Sequence, residues 1–255
     1  MKLLETIRFE KGEFANLELH QQRMNASRKV LFNNTDPIEL LPLLQASTLE
    51  GNCSTGFLPR RQAGAIRTQL DADLHSAKSG IKNPNATYFQ IANLKEPNPL
   101  LQASTLEVSL GLFKCRIIYS KQIEKIEFIP YQLPNITSLK IIIDDEIDYS
   151  HKYLNRNQLE KYYWQKGNCD DILIVKNGLV TDTSFANILF YNGIEWLTPA
   201  NPLLKGTQRQ FLLETEQITT AEIRPSDLKY FKKARLVNAM IRFEDEVDVE
   251  MKSIC

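Results

Sequence analysis

The sequence predicts an α/β (α+β) protein built as two domains, a small one over residues 1–132 and a larger one over 138–255. Three observations predict it. Strand-like stretches at 3–10, 113–119 and 123–131 accompany a helix-like stretch at 20–32, which together make a small α/β domain. Next, Leu133-Pro-Asn-Ile-Thr-Ser138 carries a proline, which discourages helix in the residue before it, and reads as a linker. Finally, an apolar β-branched run at 138–143, an acidic turn at Asp144-Asp-Glu146 and a charged and aromatic alternation at 158–166 open a second set of elements.

With 255 residues, 43% of them apolar, the chain can bury one large core or two modest ones. Its formal charge is zero and its pI near neutral, so nothing calls for nucleic acid or an anionic membrane as a partner. The cysteines Cys53, Cys115, Cys169 and Cys255 have no CxxC or metal-type spacing, which suggests reduced thiols and no metal site. The amino terminus has no signal-peptide core, and no apolar run approaches the roughly 20 residues of a membrane span. A cytoplasmic location is the expectation.

Within the first domain, residues 3–10 read as a strand, Lys11-Gly12 as a turn, and 13–19 as a second strand or its approach. The helix at 20–32 has Met24, Val30 and Leu31 for its buried side. His20 and Arg23, three apart, share a helical face. Further on, Pro42-Leu-Leu-Gln-Ala-Ser-Thr-Leu-Glu50 recurs letter for letter as Pro99-Leu-Leu-Gln-Ala-Ser-Thr-Leu-Glu107. Two copies fall short of a solenoid. The block between them, 51–98, holds four of the ten glycines and six basic against three acidic residues. It reads as an insertion that lengthens a surface connection, at modest entropic cost; a lid or docking module is the alternative. One repeat copy should occupy a buried slot and the other should not.

The chemistry concentrates in the second domain. In Tyr149-Ser-His-Lys-Tyr-Leu-Asn-Arg156, Lys152 stands at a strand-to-helix transition, where a lysine can point into a cleft. His151, next to it, should point to the opposite face and be structural. Asp182 follows a strand at 171–175 and the turn Lys176-Asn-Gly178, with Asn187 five residues on. Gly206-Thr-Gln-Arg209 should open a helix whose free N–H groups and dipole suit an anion. Residues 234–241 read as a strand carrying Asn238-Ala239.

Four elements in this order, His20-Gln-Gln-Arg23, the Lys152 segment, Val180-Thr-Asp-Thr-Ser-Phe-Ala-Asn187 and Leu203-Leu-Lys-Gly-Thr-Gln-Arg209, resemble the fold-type IV pyridoxal-phosphate enzymes. That family holds the branched-chain and D-amino-acid aminotransferases and 4-amino-4-deoxychorismate lyase. The resemblance implies pyridoxal 5'-phosphate as cofactor in an interdomain cleft, a small-molecule amino substrate and a homodimer. It further implies that Lys152 is the Schiff-base lysine, which must titrate far below the usual 10.4. Arg23 and the backbone of Gly206, Thr207 and Gln208 would bind the phosphate. Asp182, where the family usually has glutamate, would pair with the pyridine nitrogen, and Asn187 would brace it. Arg156 and Asn238 are candidates for the substrate side. Threonine stands one position earlier than in the family's Gly-Ile/Val-Thr-Arg, which puts its side-chain phosphate contact in question. Ala186 is nearer the lyase branch. The implied activity is thus lyase-like, forming 4-aminobenzoate and pyruvate, with an aminotransferase or a non-catalytic binding module as alternatives.

Overall fold

The computed structural model describes residues 1–49 and 111–255. Block 51–98 and the second repeat copy lie outside the described residues, so the expectations for them stay as stated. The chain opens with β1 (Leu3–Glu10), β2 (Glu13–Phe14), α1 (Leu17–Phe32) and α2 (Leu40–Leu49). After the gap come β3 (Leu112–Tyr119) and β4 (Ile123–Pro130). These four strands make one antiparallel sheet in the order β2-β1-β3-β4.

Strict alternation decides which face of that sheet is buried. Leu3, Glu5 and Ile7 of β1 and Phe113, Cys115, Ile117 and Tyr119 of β3 turn inward. There they meet Met24 of α1 and Leu40 and Leu44 of α2. Each such fully buried aliphatic side chain contributes about 1.5–3 kcal/mol relative to exposure.

Three sequence expectations shift here. α1 starts at Leu17, not at 20, because Asn16 takes a left-handed conformation (φ 51°) that ends the strand's approach. Its carbonyl then accepts from the His20 N–H and closes the first turn. Asparagine tolerates that conformation better than most residues. For the same reason the strand expected at 13–19 is only Glu13–Phe14. Val30 is 69% exposed, because the buried stripe runs through His20, Met24, Ser27 and Arg28. Arg28 sits in that stripe by spending its guanidinium on the carbonyls of Lys121 and Asp36 and on the Asn25 side chain.

A second sheet begins with β5 (Leu139–Ile143), parallel to β6 (Asp171–Lys176). Between them α3 (Asn157–Tyr163) ends in a 3-10 turn at Trp164–Lys166. The sheet continues antiparallel through β7 (Leu179–Thr183), β8 (Asn187–Tyr191) and β9 (Trp196–Pro199). Then come α4 (Thr207–Glu214), β10 (Thr219–Ala221), β11 (Lys233–Val237) and β12 (Asp248–Glu250). β11 stops at Val237 rather than 241, because the Asn238 Oδ1 accepts from the N–H groups of Met240 and Ile241 and folds the chain into a turn. The main apolar core lies here, around Leu173, Ile188, Phe190, Leu236 and Ile241.

The stretch between the sheets, at 133–138, has no regular structure. Asp170 anchors it by accepting from the backbone and hydroxyl groups of Thr137 and Ser138. Among the described residues no ladder pairs a strand of one sheet with a strand of the other; an isolated bridge ties Leu3 of β1 to Tyr153, which lies outside both sheets. Around it the Leu4 N–H donates to the Lys152 carbonyl (2.9 Å) and the Leu154 N–H to the Lys2 carbonyl (3.0 Å). Farther along β1, Arg8 is buried and donates to Asp245 (2.5 Å) and to the Met240 carbonyl (2.8 Å). Among the described residues no helix is long and apolar enough to cross a membrane.

The first repeat copy fills a core slot, and its two neighbouring leucines separate burial from composition. Leu44 is fully buried and Leu43 is 41% exposed. Leu44→Ala should cost about 2–5 kcal/mol and Leu43→Ala under about 1 kcal/mol, measured by denaturant unfolding. Equal losses would show that this copy does not occupy the slot.

Candidate active site

The site is built from a carboxylate on an apolar strand. Glu5 alternates with Leu3 and Ile7 and is fully buried against α1. A buried charge survives only when paired and hydrogen-bonded. Arg23 supplies that pairing, donating from Nε to Glu5 Oε1 (3.0 Å) and from Nη2 to Oε2 (2.5 Å). His20 Nδ1 lies 2.7 Å from Oε2. Although burial pushes the Glu5 carboxyl up, Arg23 and His20 more than offset this and hold it at about 2.

His20 is itself fully buried, and burial lowers its pKa against the opposing pull of Glu5. A neutral ring donating from Nδ1 to Glu5 leaves Nε2 as an acceptor. The network therefore assigns the 3.1 Å contact between Nε2 and the Thr207 hydroxyl as a bond donated by threonine. That commits the Thr207 proton to His20, so the displaced threonine of the sequence has a partner inside the protein.

The segment 204–208 is where the predicted residues meet. Arg23 Nη1 donates to the Lys205 carbonyl (3.3 Å), and the Leu204 N–H donates to Asp182 Oδ2 (2.9 Å). Asn187 Nδ2 donates both to Asp182 Oδ1 (2.7 Å) and to the Leu204 carbonyl (2.8 Å). The Gln208 side chain accepts from Asn16 (2.9 Å) at the head of α1. Gly206, expected to leave room for a phosphate, has another reason to be glycine. A Cβ there would lie 2.0 Å from Asn187 Oδ1, so any side chain would displace Asn187 from Asp182. Gly206 does not cap α4 with a side chain, and the first-turn N–H groups stay available for an anion.

Asp182 lies inside β7 and is buried; burial raises its pKa to about 6, against the hydrogen bonds from Leu204 and Asn187. Lys152 is depressed to about 7, first by burial and then by Arg23, with Arg156 and Lys114 adding to it and Glu5 opposing. Desolvation and neighbouring cations are the two causes the sequence demanded of a reactive lysine. The segment 149–152 is not a strand, however; Tyr153 alone makes a bridge, and His151 sits in a bend beside the Tyr153 ring. Arg156 donates to the Ser184 carbonyl (2.6 Å), while its Nε is buried without an acceptor. Asn238 spends its amide on its own turn and on the Phe185 carbonyl (3.3 Å). A cavity of about 310 Å³ is lined by Tyr149, Thr181 and Leu203; neither Lys152 nor Arg23 lines it.

The donor set fits pyridoxal phosphate. It offers an amine near neutrality, a buried acid and a guanidinium beside an uncapped helix start. Of the five N–H groups a guanidinium carries, Arg23 uses one at Nε, one at Nη1 and one at Nη2, which leaves two for an anion. Glu5 is the site residue that motif reading missed, although its signal was present: a lone carboxylate in phase with Leu3 and Ile7.

Comparison with known proteins agrees with this chemistry. The sequence profile of the family Amino-transferase class IV matches residues 2–243. The chain belongs to that family. It is accordingly a pyridoxal-phosphate-dependent enzyme, and its fold is that of the fold-type IV aminotransferases. An uncharacterized protein of Haemophilus influenzae is 40% identical over 129 residues, 51% of this chain and 69% of the relative. A crystal structure from Haemophilus somnus, provisionally named a 4-amino-4-deoxychorismate lyase, superposes with a TM-score of 0.65 at 28% identity, covering 95% of this chain and 97% of that one. A hypothetical aminotransferase from Mycobacterium tuberculosis, in a PLP-bound form, is alike in fold at 15% identity (TM-score 0.55, covering 99% and 81%).

The buried carboxylate of this aminotransferase-family chain should show in its acid stability. Because folding lowers the Glu5 pKa from 4.5 to about 2, its stabilisation is complete above 4.5 and lost as pH falls through about 2. Glu5→Gln should flatten that part of the acid-unfolding profile and lower stability at pH 7. A profile matching the wild type would remove Glu5 from the account.

Proposed function

We propose that the enzyme is a lyase of the 4-amino-4-deoxychorismate type, releasing pyruvate and leaving 4-aminobenzoate. The observation that carries this reading is the nearly end-to-end match to the Haemophilus somnus protein of that provisional name. Ala186, just ahead of Asn187, supports the lyase branch. The chain is read as two domains meeting along the Leu3–Tyr153 bridge, with the cofactor between them and two copies forming a homodimer. Free Cys115, Cys169 and Cys255 are in keeping with a reducing cytoplasm, and the product with a place in folate biosynthesis.

When bound, pyridoxal phosphate supplies an electron sink for charge that develops at the amine-bearing carbon. Arg23 and the backbone N–H groups of Thr207 and Gln208 hold the phosphate, and Gly206 keeps Asn187 in place beneath them. Asp182 holds a proton on the ring nitrogen. Its carboxyl, raised to about 6 by burial, would serve in this role in its ionised form. Asn187 fixes the orientation of that carboxylate. Lys152 is the base at the amine-bearing carbon. With its pKa lowered to about 7 it offers far more neutral amine at physiological pH than an ordinary lysine, which is almost wholly charged. Arg156 is placed on the substrate side, with Asn238 shaping the facing turn.

Purified enzyme given 4-amino-4-deoxychorismate should release pyruvate and 4-aminobenzoate in equal amounts. Lys152→Ala should lose at least about 10²–10⁴-fold in rate. Asp182→Asn should keep the cofactor and turn over far more slowly. Amino transfer to a 2-oxo acid without pyruvate release would replace the lyase by the aminotransferase reading.

A further inference from the structure

We infer that Cys169 and Cys255 form a redox-responsive thiol pair, which closes to a disulfide by exchange with a small disulfide of the oxidised-glutathione type and so staples the second sheet. Neither residue belongs to the set assigned to cofactor or substrate, and the scattered spacing of the cysteines along the chain hides the pair.

Strand β5 brings them together from its two sides. Leu139, its first residue, pairs with Asp171 of β6 on one flank and bridges Ile254 on the other. Cys169 lies two residues before Asp171, and Cys255 one after Ile254. Hydrogen bonds pin both backbones. The Cys169 N–H donates to the Lys166 carbonyl (3.1 Å), and the next residue, Asp170, is the acid that anchors Thr137 and Ser138. The Cys255 N–H donates to the Leu139 carbonyl (3.0 Å), and the Cys255 carbonyl accepts from the Ile141 N–H (2.6 Å). The two Sγ atoms thus lie 3.6 Å apart, in thiol contact across 86 positions of the chain.

Access separates this pair from the third described thiol. Cys115 is fully buried on β3, whereas Cys169 is partly exposed and Cys255 well exposed. A disulfide bond is about 2.05 Å long, so the sulfurs need to close by about 1.5 Å, a shift that side-chain torsions supply while the backbone stays pinned. A metal centre is the poorer reading, because among the described residues no three His, Cys, Asp or Glu side chains are placed to share an ion.

In a reducing compartment the pair rests as thiols, and it responds when small disulfides accumulate. The Cys255 thiolate, the more exposed, attacks one sulfur of the small disulfide and releases one small thiol. The Cys169 thiolate then attacks the Cys255 sulfur of the mixed disulfide and releases the second. Two protein thiols are oxidised, one small disulfide is reduced to two thiols, and the protons pass to those leaving thiols. The closed loop runs from 169 to 255 and takes in every strand from β6 to β12, with Asp182, Asn187 and Gly206 inside it. A cross-link over so long a loop removes much of the freedom of the unfolded chain and stabilises the fold.

The test treats the holoenzyme with oxidised glutathione and then with dithiothreitol. Two thiols per chain should disappear, the mass should fall by two hydrogen atoms with no glutathione retained, and peptide mapping should join the peptides of Cys169 and Cys255. The unfolding midpoint should rise by at least about 4 °C and return on reduction. Cys169→Ser should instead keep glutathione on Cys255, and Cys255→Ser should form no internal link; neither should gain in midpoint. Glutathione retained on wild-type Cys255, a link from either residue to Cys53 or Cys115, a link between two chains, or an unchanged midpoint in the linked protein each overturns the proposal.

Discussion

The arrangement depends on one buried carboxylate. Glu5 has no exposure to water, and the cost of removing a carboxylate from water is several kcal/mol unless partners replace it. Arg23 and His20 are those partners, both on the inner face of α1, and His20 passes the constraint on to Thr207 at the start of α4. Strand, helix and distant helix start are thus held in one register by a chain of hydrogen bonds. Breaking any link leaves a buried polar group unsatisfied, which makes the arrangement cooperative.

From that constraint the rest of the site follows. Arg23 is held with part of its guanidinium free, and its carbonyl contact at Lys205 brings it beside the segment that also carries Gly206 and receives Asp182 and Asn187. Glu5 neutralises Arg23 but only partly offsets the field at Lys152, where Arg156 and Lys114 also act. A lysine in such surroundings rests near neutrality. Asp182 has moved the other way, up to about 6, because burial outweighs the hydrogen bonds from Leu204 and Asn187 and the charge of Arg209. Two ionisable groups driven toward each other's range by different environments are what proton transfer near neutral pH requires.

Much of this could be read in the residues. The strands at 3–10 and 171–175, the turn at Asn177-Gly178 and the helix start after Gly206 all carry local signals, and the structure places them there within a residue or two. Lys152, Arg23 and Asp182 stood out because their order along the chain resembles a known family. What stayed hidden depends on contacts between distant segments. The start of α1 turns on a left-handed Asn16, and the burial of Arg28 instead of Val30 on carbonyls that lie far off in sequence. The Gly206 constraint comes from Asn187 at the start of β8, nineteen residues earlier in the chain. Glu5 was legible as the face of a strand but not as a partner of Arg23 and His20, since strand period says which side a residue is on and not what waits there.

Borohydride reduction of the holoenzyme followed by peptide mapping tests the central claim most directly, that the near-neutral amine beside the Glu5 network is the one that holds the cofactor. The account predicts a reduced pyridoxyl group on Lys152 and on no other lysine, with the visible absorbance lost on reduction. A pyridoxyl group on Lys114, Lys205 or any other lysine would contradict it.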